Sequence, residues 1–217
     1  MSVIVTDPAL LWNGYIPYVI QYAGSSAWVK SKIDEFNSQV GMKAFVPMGS
    51  EADYLVFKLR IDDPTTQTTM AHSGCVVGRR GGAQDITFKM ADKSIWHEMA
   101  HACGLGHEQF HESGARQKAI KEKYPDLAGK SDAEIKKANI GMDQVALTSG
   151  SKYTSVGGFD EKSIMLYSKY FDTHEVCLSD DDCRAIRSLL SIGGAGAKVG
   201  AALQSLRGAA VNVTKSR

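Results

Sequence analysis

After Gly24 the apolar positions Val29, Ile33, Phe36 and Val40 recur every three or four residues behind a Ser25-Ser26 start, the spacing of one face of an amphipathic helix. Ahead of that helix, Tyr15 to Tyr22 is rich in β-branched and aromatic residues around Pro17 and reads as a strand, and Lys43 to Val46 is a short strand candidate. The period then changes to two. Leu55, Phe57, Leu59 and Ile61 alternate with Val56, Lys58 and Arg60, as in a half-buried strand. Gly74 to Val77 and Ala83 to Phe88 follow as short strands around the Arg79-Arg80-Gly81-Gly82 turn, and a second helix begins near Asp92 or Ser94.

From Gln109 to about Gly158 the periodicity weakens. A Lys-rich helical stretch from Ala115 to Asn139, broken at Pro125 and Gly129 and read as a solvated face, gives way to a Gly/Ser/Thr loop. Ser179 and Asp182 are spaced for a capping box that opens a last helix, with Ile186, Leu189 and Leu190 on its apolar face. Beyond Ser191 the composition shifts to Gly and Ala, read either as a loosely packed tail or as a weak amphipathic helix through Val199, Leu203 and Leu206.

Composition narrows the class. A chain of 217 residues with 43% apolar and 23% charged residues is an ordinary globular chain of one domain or two packed subdomains. The net charge of +1 provides no field toward nucleic acid or an anionic membrane, so function must come from a local site. The longest uncharged stretch, Pro8 to Val29, has the length of a membrane span, but Asn13, Gly14, Pro17, Gln21, Gly24, Ser25 and Ser26 interrupt it. The opening Met-Ser-Val-Ile-Val-Thr-Asp lacks a basic start and a long apolar core, so it does not read as a signal peptide. The four cysteines, Cys75, Cys103, Cys177 and Cys183, suit either a reducing or an oxidising compartment.

The local site lies in His97-Glu98-Met99-Ala100-His101-Ala102-Cys103-Gly104-Leu105-Gly106-His107-Glu108. On a helix, His97 and His101 project from one face, and two imidazoles can converge on one ion. Glu98 sits one position round, where its carboxylate can reach a water on the metal without ligating. Gly104 can adopt positive φ, end the helix and turn the chain back, so that His107 completes a tripod. The five-residue His-to-His core is expected about 0.007 times in a random chain of this composition, and with Gly104 and His107 about 2 times in 100,000. Three nitrogen ligands leave a zinc position open for water, the arrangement of a catalytic site.

This segment resembles the long zinc signature of the metzincin metallopeptidases, and Ser163-Ile164-Met165-Leu166-Tyr167 is similar to their methionine turn. Glu108 directly after the third His, with Tyr167 two residues after the turn Met, resembles the astacin family. So do Leu11-Trp12-Asn13-Gly14-Tyr15-Ile16-Pro17-Tyr18, Ala44-Phe45-Val46-Pro47, Gly78-Arg79-Arg80-Gly81-Gly82-Ala83-Gln84, and Leu178-Ser179 with Asp182, Ile186 and Leu189. The resemblance implies an α+β, metzincin-like fold: an upper twisted, mostly parallel sheet with two helices, a lower irregular half with a C-terminal helix, and a zinc cleft between them. Residues 1–107 would form the upper subdomain with the zinc helix and 108–191 the lower one with the methionine turn, leaving 192–217 as a tail of unknown role.

The resemblance further implies a secreted endopeptidase with one catalytic Zn²⁺ held by His97, His101 and His107. Glu98 would be the general base, and Tyr167 a displaceable further ligand whose hydroxyl then serves the oxyanion. Met165 would be a packing floor rather than a ligand. Glu108, on its own merits a surface carboxylate, would be the acid that meets the new N-terminus once a propeptide is removed. The implied partners are a protein or peptide substrate, extended along an edge strand around Gly74 to Gly78, and the propeptide as inhibitor, with the chain a monomer. Met42 replaces a cysteine usual in the family's animal members, and Cys75 lacks the partner expected in Ala91 to Ser94. These departures, with Gln109-Phe110-His111-Glu112 after the third His, fit a divergent member, a bacterial one among the candidates. The rival readings are another metzincin of serralysin type, against which Glu108 and Leu11-Trp12 count, and a catalytically silent metal-binding module, against which Glu98 counts.

Overall fold

The computed structural model describes residues 3–59, 74–88, 95–108, 111, 122, 153–166 and 177–194. Helix α1 (Ser26–Val40) buries Val29, Ile33, Phe36 and Val40, the four positions its periodicity selects, and ends at Gly41 in the left-handed conformation. It packs on a five-stranded sheet of β2 (Ile16–Ile20), β3 (Phe45–Pro47), β4 (Tyr54–Leu59), β5 (Gly74–Cys75) and β6 (Ala83–Phe88), ordered β3-β2-β4-β6-β5. The first four strands in that order run parallel, and β5 is antiparallel to β6 at the edge. The fold is therefore α+β with a mostly parallel sheet.

Alternation on β4 is as expected: Leu55 and Phe57 are fully buried while Val56 and Lys58 are half-buried. Ile61 and Arg60 lie outside the described residues. Edge-to-face aromatic pairs run through the core, Phe36 with Phe45 at 5.3 Å, Phe45 with Phe57 at 6.3 Å and Phe57 with Phe88 at 6.3 Å. Trp96, on helix α2 (Ile95–Cys103), closes this series against Phe36 at 6.1 Å and so fixes the depth of the helix that carries the histidines.

Two strands escape the periodicity. β1 (Val3–Val5) pairs antiparallel with β7 (Tyr153–Ser155), a strand within the stretch read as a Gly/Ser/Thr loop. Each has three residues, too short for alternation to register. The Lys-rich stretch from Ala115 to Asn139 lies outside the described residues apart from Glu122. The uncharged segment from Pro8 to Val29 divides into a 3₁₀ turn, β2, a second turn and the start of α1, and no helix among the described residues is long and apolar enough to cross a membrane.

The last helix among the described residues, α3 (Asp180–Gly194), starts on the expected capping box. The Asp182 N–H donates to Ser179 Oγ at 3.0 Å and the Ser179 N–H to Asp182 Oδ2 at 3.2 Å. It continues through Ile192, Gly193 and Gly194, and the chain from 195 onward lies outside the described residues. Its junction with α1 is made by hydrogen bonds. Gln39 Nε2 donates to the Leu178 carbonyl at 2.8 Å, the Leu178 N–H donates to Gln39 Oε1 at 3.3 Å, and Arg187 Nη1 donates to the Val40 carbonyl at 2.7 Å. Met42 packs against the core beside this junction, and all four cysteines are thiols, Cys103 and Cys183 buried, Cys75 half-buried and Cys177 exposed.

Gly193 sets how closely α3 approaches the chain before β2, since a Cβ there would stand 1.8 Å from the Trp12 carbonyl oxygen. Gly193→Ala is expected to lower stability by about 1–3 kcal/mol, as overpacking against backbone does. Thermal denaturation tests this, and an unshifted midpoint would overturn the close approach.

Candidate metal centre

Helix α2 places His97 and His101 one turn apart. The carbonyls of its last turn are satisfied from outside the helix, that of Ala102 by Trp12 Nε1–H at 2.8 Å and that of His101 by the Gly78 N–H at 2.9 Å. Gly104, at φ +106°, then reverses the chain as its position in the motif predicts, and a Cβ there would also meet Val5 Cγ2 at 2.9 Å. The exit segment runs antiparallel to β1. The Val5 N–H donates to the Gly104 carbonyl at 3.0 Å, Ile4 bridges Leu105, and the Gly106 N–H donates to the Val3 carbonyl at 2.7 Å. This pairing brings His107 back over the helix.

The three imidazoles converge. His107 Nε2 lies 3.1 Å from His97 Nε2 and 3.1 Å from His101 Nε2. His97 Nδ1 lies 2.8 Å from the Ile164 carbonyl and His101 Nδ1 2.8 Å from the Leu105 carbonyl. A carbonyl only accepts, so Nδ1 carries the proton in both rings and each Nε2 offers its lone pair to the centre. Lone pairs so placed repel unless a cation lies between them. Two nitrogens about 2.05 Å from one ion at a tetrahedral angle stand about 3.3 Å apart, so these donors fit Zn²⁺. Burial first of all lowers the pKa of all three, that of His101 strongly and that of His107 to about 3, keeping the ligands neutral. They are the group able to hold a metal ion among the described residues.

Around them, Glu98 is buried in α2 beside the first ligand. Met165 is fully buried, and its carbonyl accepts the Glu108 N–H at 2.9 Å, tying the methionine turn to the residue after the third His. Glu108 is not a surface carboxylate. It is fully buried, its Oε1 accepts the Asp160 N–H at 2.9 Å, its Oε2 receives no hydrogen bond among the described residues, and burial raises its pKa to about 9. Tyr167 lies outside the described residues. Ser163 and Asp182 were absent from the predicted site, yet Asp182 accepts Ser163 Oγ–H at 2.7 Å and the Ile164 N–H at 3.0 Å, within the turn that supports His97. The capping pattern marked Asp182, but for α3 alone.

The model of the Astacin peptidase family matches residues 4–179. The chain belongs to the astacin family. This astacin is 31% identical over 165 residues to zinc metalloproteinase nas-12 of Caenorhabditis elegans, a match that takes in 73% of the chain and 37% of nas-12. The chain thus spans little more than a third of that relative. Its fold is similar to that of High choriolytic enzyme 1, a hatching enzyme zinc-protease from Oryzias latipes (medaka fish), with a TM-score of 0.56 and 20% identity over 85% of this chain and 96% of that one. The astacin assignment replaces the serralysin-like reading, and the zinc of the family accords with the three converged imidazoles.

The neutral histidines also set a pH dependence. Their unfolded-state pKa is near 6.5, whereas His107 in the fold titrates near 3 and the other two also lie below their ordinary value. Between those limits the unfolded chain binds more protons, so stability of the metal-free astacin should fall as pH drops from 6.5 toward 3. Urea unfolding at stepped pH measures this, and a midpoint constant through that window would contradict it.

Proposed function

We propose that this astacin is a secreted zinc-dependent endopeptidase with Glu98 as general base. The observation that carries the reading is the convergence of three Nε2 atoms, 3.1 Å apart in the two pairs that His107 makes, beside a buried carboxylate on the same helix. Zinc on three neutral imidazoles supplies Lewis acidity toward the scissile carbonyl and makes water a nucleophile near neutral pH. Glu98 takes the proton of the attacking water and returns it to the leaving amine nitrogen. Tyr167 donates its hydroxyl to the carbonyl oxygen as negative charge builds there.

The substrate is a peptide that lies extended along β5, whose outer side carries no further strand among the described residues. The upper subdomain of 1–107 and the lower of 108–191 form the two walls of this cleft, and the chain works as a monomer. Production as a zymogen is supported by Glu108: a buried carboxyl with one oxygen that receives no hydrogen bond among the described residues suits the ammonium of a newly cut N-terminus, which would restore its ionised form. Both a propeptide that occupies the cleft and secretion follow from that reading.

Glu98→Gln should retain zinc and lose about 10²–10⁴-fold in peptide hydrolysis, since general base catalysis is removed and ligation is not. Metal content and casein cleavage measure the two effects, and cleavage at the wild-type rate would leave the chain without its assigned base. Tyr167→Phe should lower kcat about a hundredfold with little change in KM, because its hydroxyl acts on charge present only in the transition state. An unchanged kcat would remove Tyr167 from the reaction.

A further inference from the structure

Among the described residues His97 and His101 are each held by a backbone carbonyl, and the hydrogen bonds behind those two carbonyls lead to different groups. Behind His101, the Leu105 carbonyl shares its peptide unit with the Gly106 N–H, which donates to the Val3 carbonyl at 2.7 Å. That chain runs into the backbone ladder of β1 with β7, where the groups are neutral peptides. Behind His97, the Ile164 carbonyl shares its peptide unit with the Met165 N–H, which donates to Ser163 Oγ at 3.0 Å. Ser163 in turn donates to Asp182 Oδ1 at 2.7 Å. Every donor in this second chain points the same way, from His97 Nδ1–H through the peptide and the hydroxyl to a carboxylate.

We infer that Asp182 is a positioning residue for the metal centre, acting through Ser163 and the Ile164-Met165 peptide to make His97 the more strongly donating of the two carbonyl-held ligands. Hydrogen bonds aligned head to tail polarise one another, more so where water is excluded. Asp182 and Ser163 are both fully buried. The carboxylate form is the one the site satisfies, with Ser163 Oγ–H on one oxygen and the Ile164 and Ser179 N–H groups on the other. The outcome matches the carboxylate–histidine–metal arrangement in which a ligating imidazole gives its second N–H to an acid, here with a peptide and a hydroxyl interposed. The arrangement also places the acid on α3, so that helix reports on the first imidazole of α2.

The inference rests on the reading of the three imidazoles as a zinc site, and one experiment separates the two. Zinc affinity is measured by competition with a chromophoric chelator for the wild type, Asp182→Asn, Ser163→Ala and Ser179→Ala, with thermal melting of each metal-free chain alongside. Asp182→Asn keeps the shape and removes the charge, Ser163→Ala cuts the relay at the hydroxyl, and Ser179→Ala weakens the helix cap while sparing the relay. Loss of a group outside the ligand shell lowers metal affinity by about 10–100-fold. Asp182→Asn and Ser163→Ala are each expected to fall in that range, a chain carrying both substitutions no further than the larger single effect, and Ser179→Ala to stay at wild-type affinity despite a lower melting point. If the wild type binds no zinc, the metal reading fails. If it binds and Ser163→Ala binds equally well, the relay is overturned, and this arm stands even where Asp182→Asn does not fold. If affinity instead follows melting temperature across all variants, Ser179→Ala included, Asp182 supports the fold alone.

Discussion

Three imidazole nitrogens facing one another at 3.1 Å in the pairs made by His107, with the Nε2 lone pairs of His97 and His101 turned inward, form an arrangement that costs free energy until a cation occupies it. Everything near the centre is organised to hold that unfavourable geometry in advance. A rigid helix sets the spacing of His97 and His101, a left-handed glycine returns the chain for His107, and two backbone carbonyls fix the protonated nitrogens on the far sides of the rings. Burial completes the preparation by keeping the rings neutral, which is the form a metal needs.

Holding His107 in place falls to parts of the chain that are remote from it in sequence. β1 runs between β7 and the segment Gly104 to Gly106, so the loop that carries His107 is stitched to a strand rather than left to fold on itself. The Glu108 N–H on the Met165 carbonyl joins the same loop to the methionine turn, and the turn is itself anchored on Asp182 at the start of α3. Hydrogen bonds around the three imidazoles thus join segments that are far apart in the chain. The junction of α1 with α3 through Gln39 and Arg187 gives α3 a second attachment that depends on no disulfide.

Much of this is legible in the chain before it folds. The apolar face of α1, the alternation of β4, the capping box of α3, the helical spacing of His97 and His101 and the reversal at Gly104 are all short-range properties, expressed within one element by side chains whose chemistry differs from the background. Glu108 is the instructive contrast. Nothing local distinguishes it from an exposed carboxylate, because burial is conferred by the strands and turns that pack over it and not by its neighbours in the chain.

The amino-acid sequence by itself pointed to zinc, to the family and to the three imidazoles that could hold a metal, because a His-rich signature with a turning glycine is improbable by chance and chemically specific. It could not reveal β1 and β7, the carbonyls of Ile164 and Leu105 behind the imidazoles, or the path from Asp182 to His97. Those contacts join positions such as 3 and 106, 97 and 164, or 163 and 182, and most of them use backbone groups that every residue possesses. A group common to all residues leaves no mark in a sequence, and only the tertiary fold decides which copies of it meet.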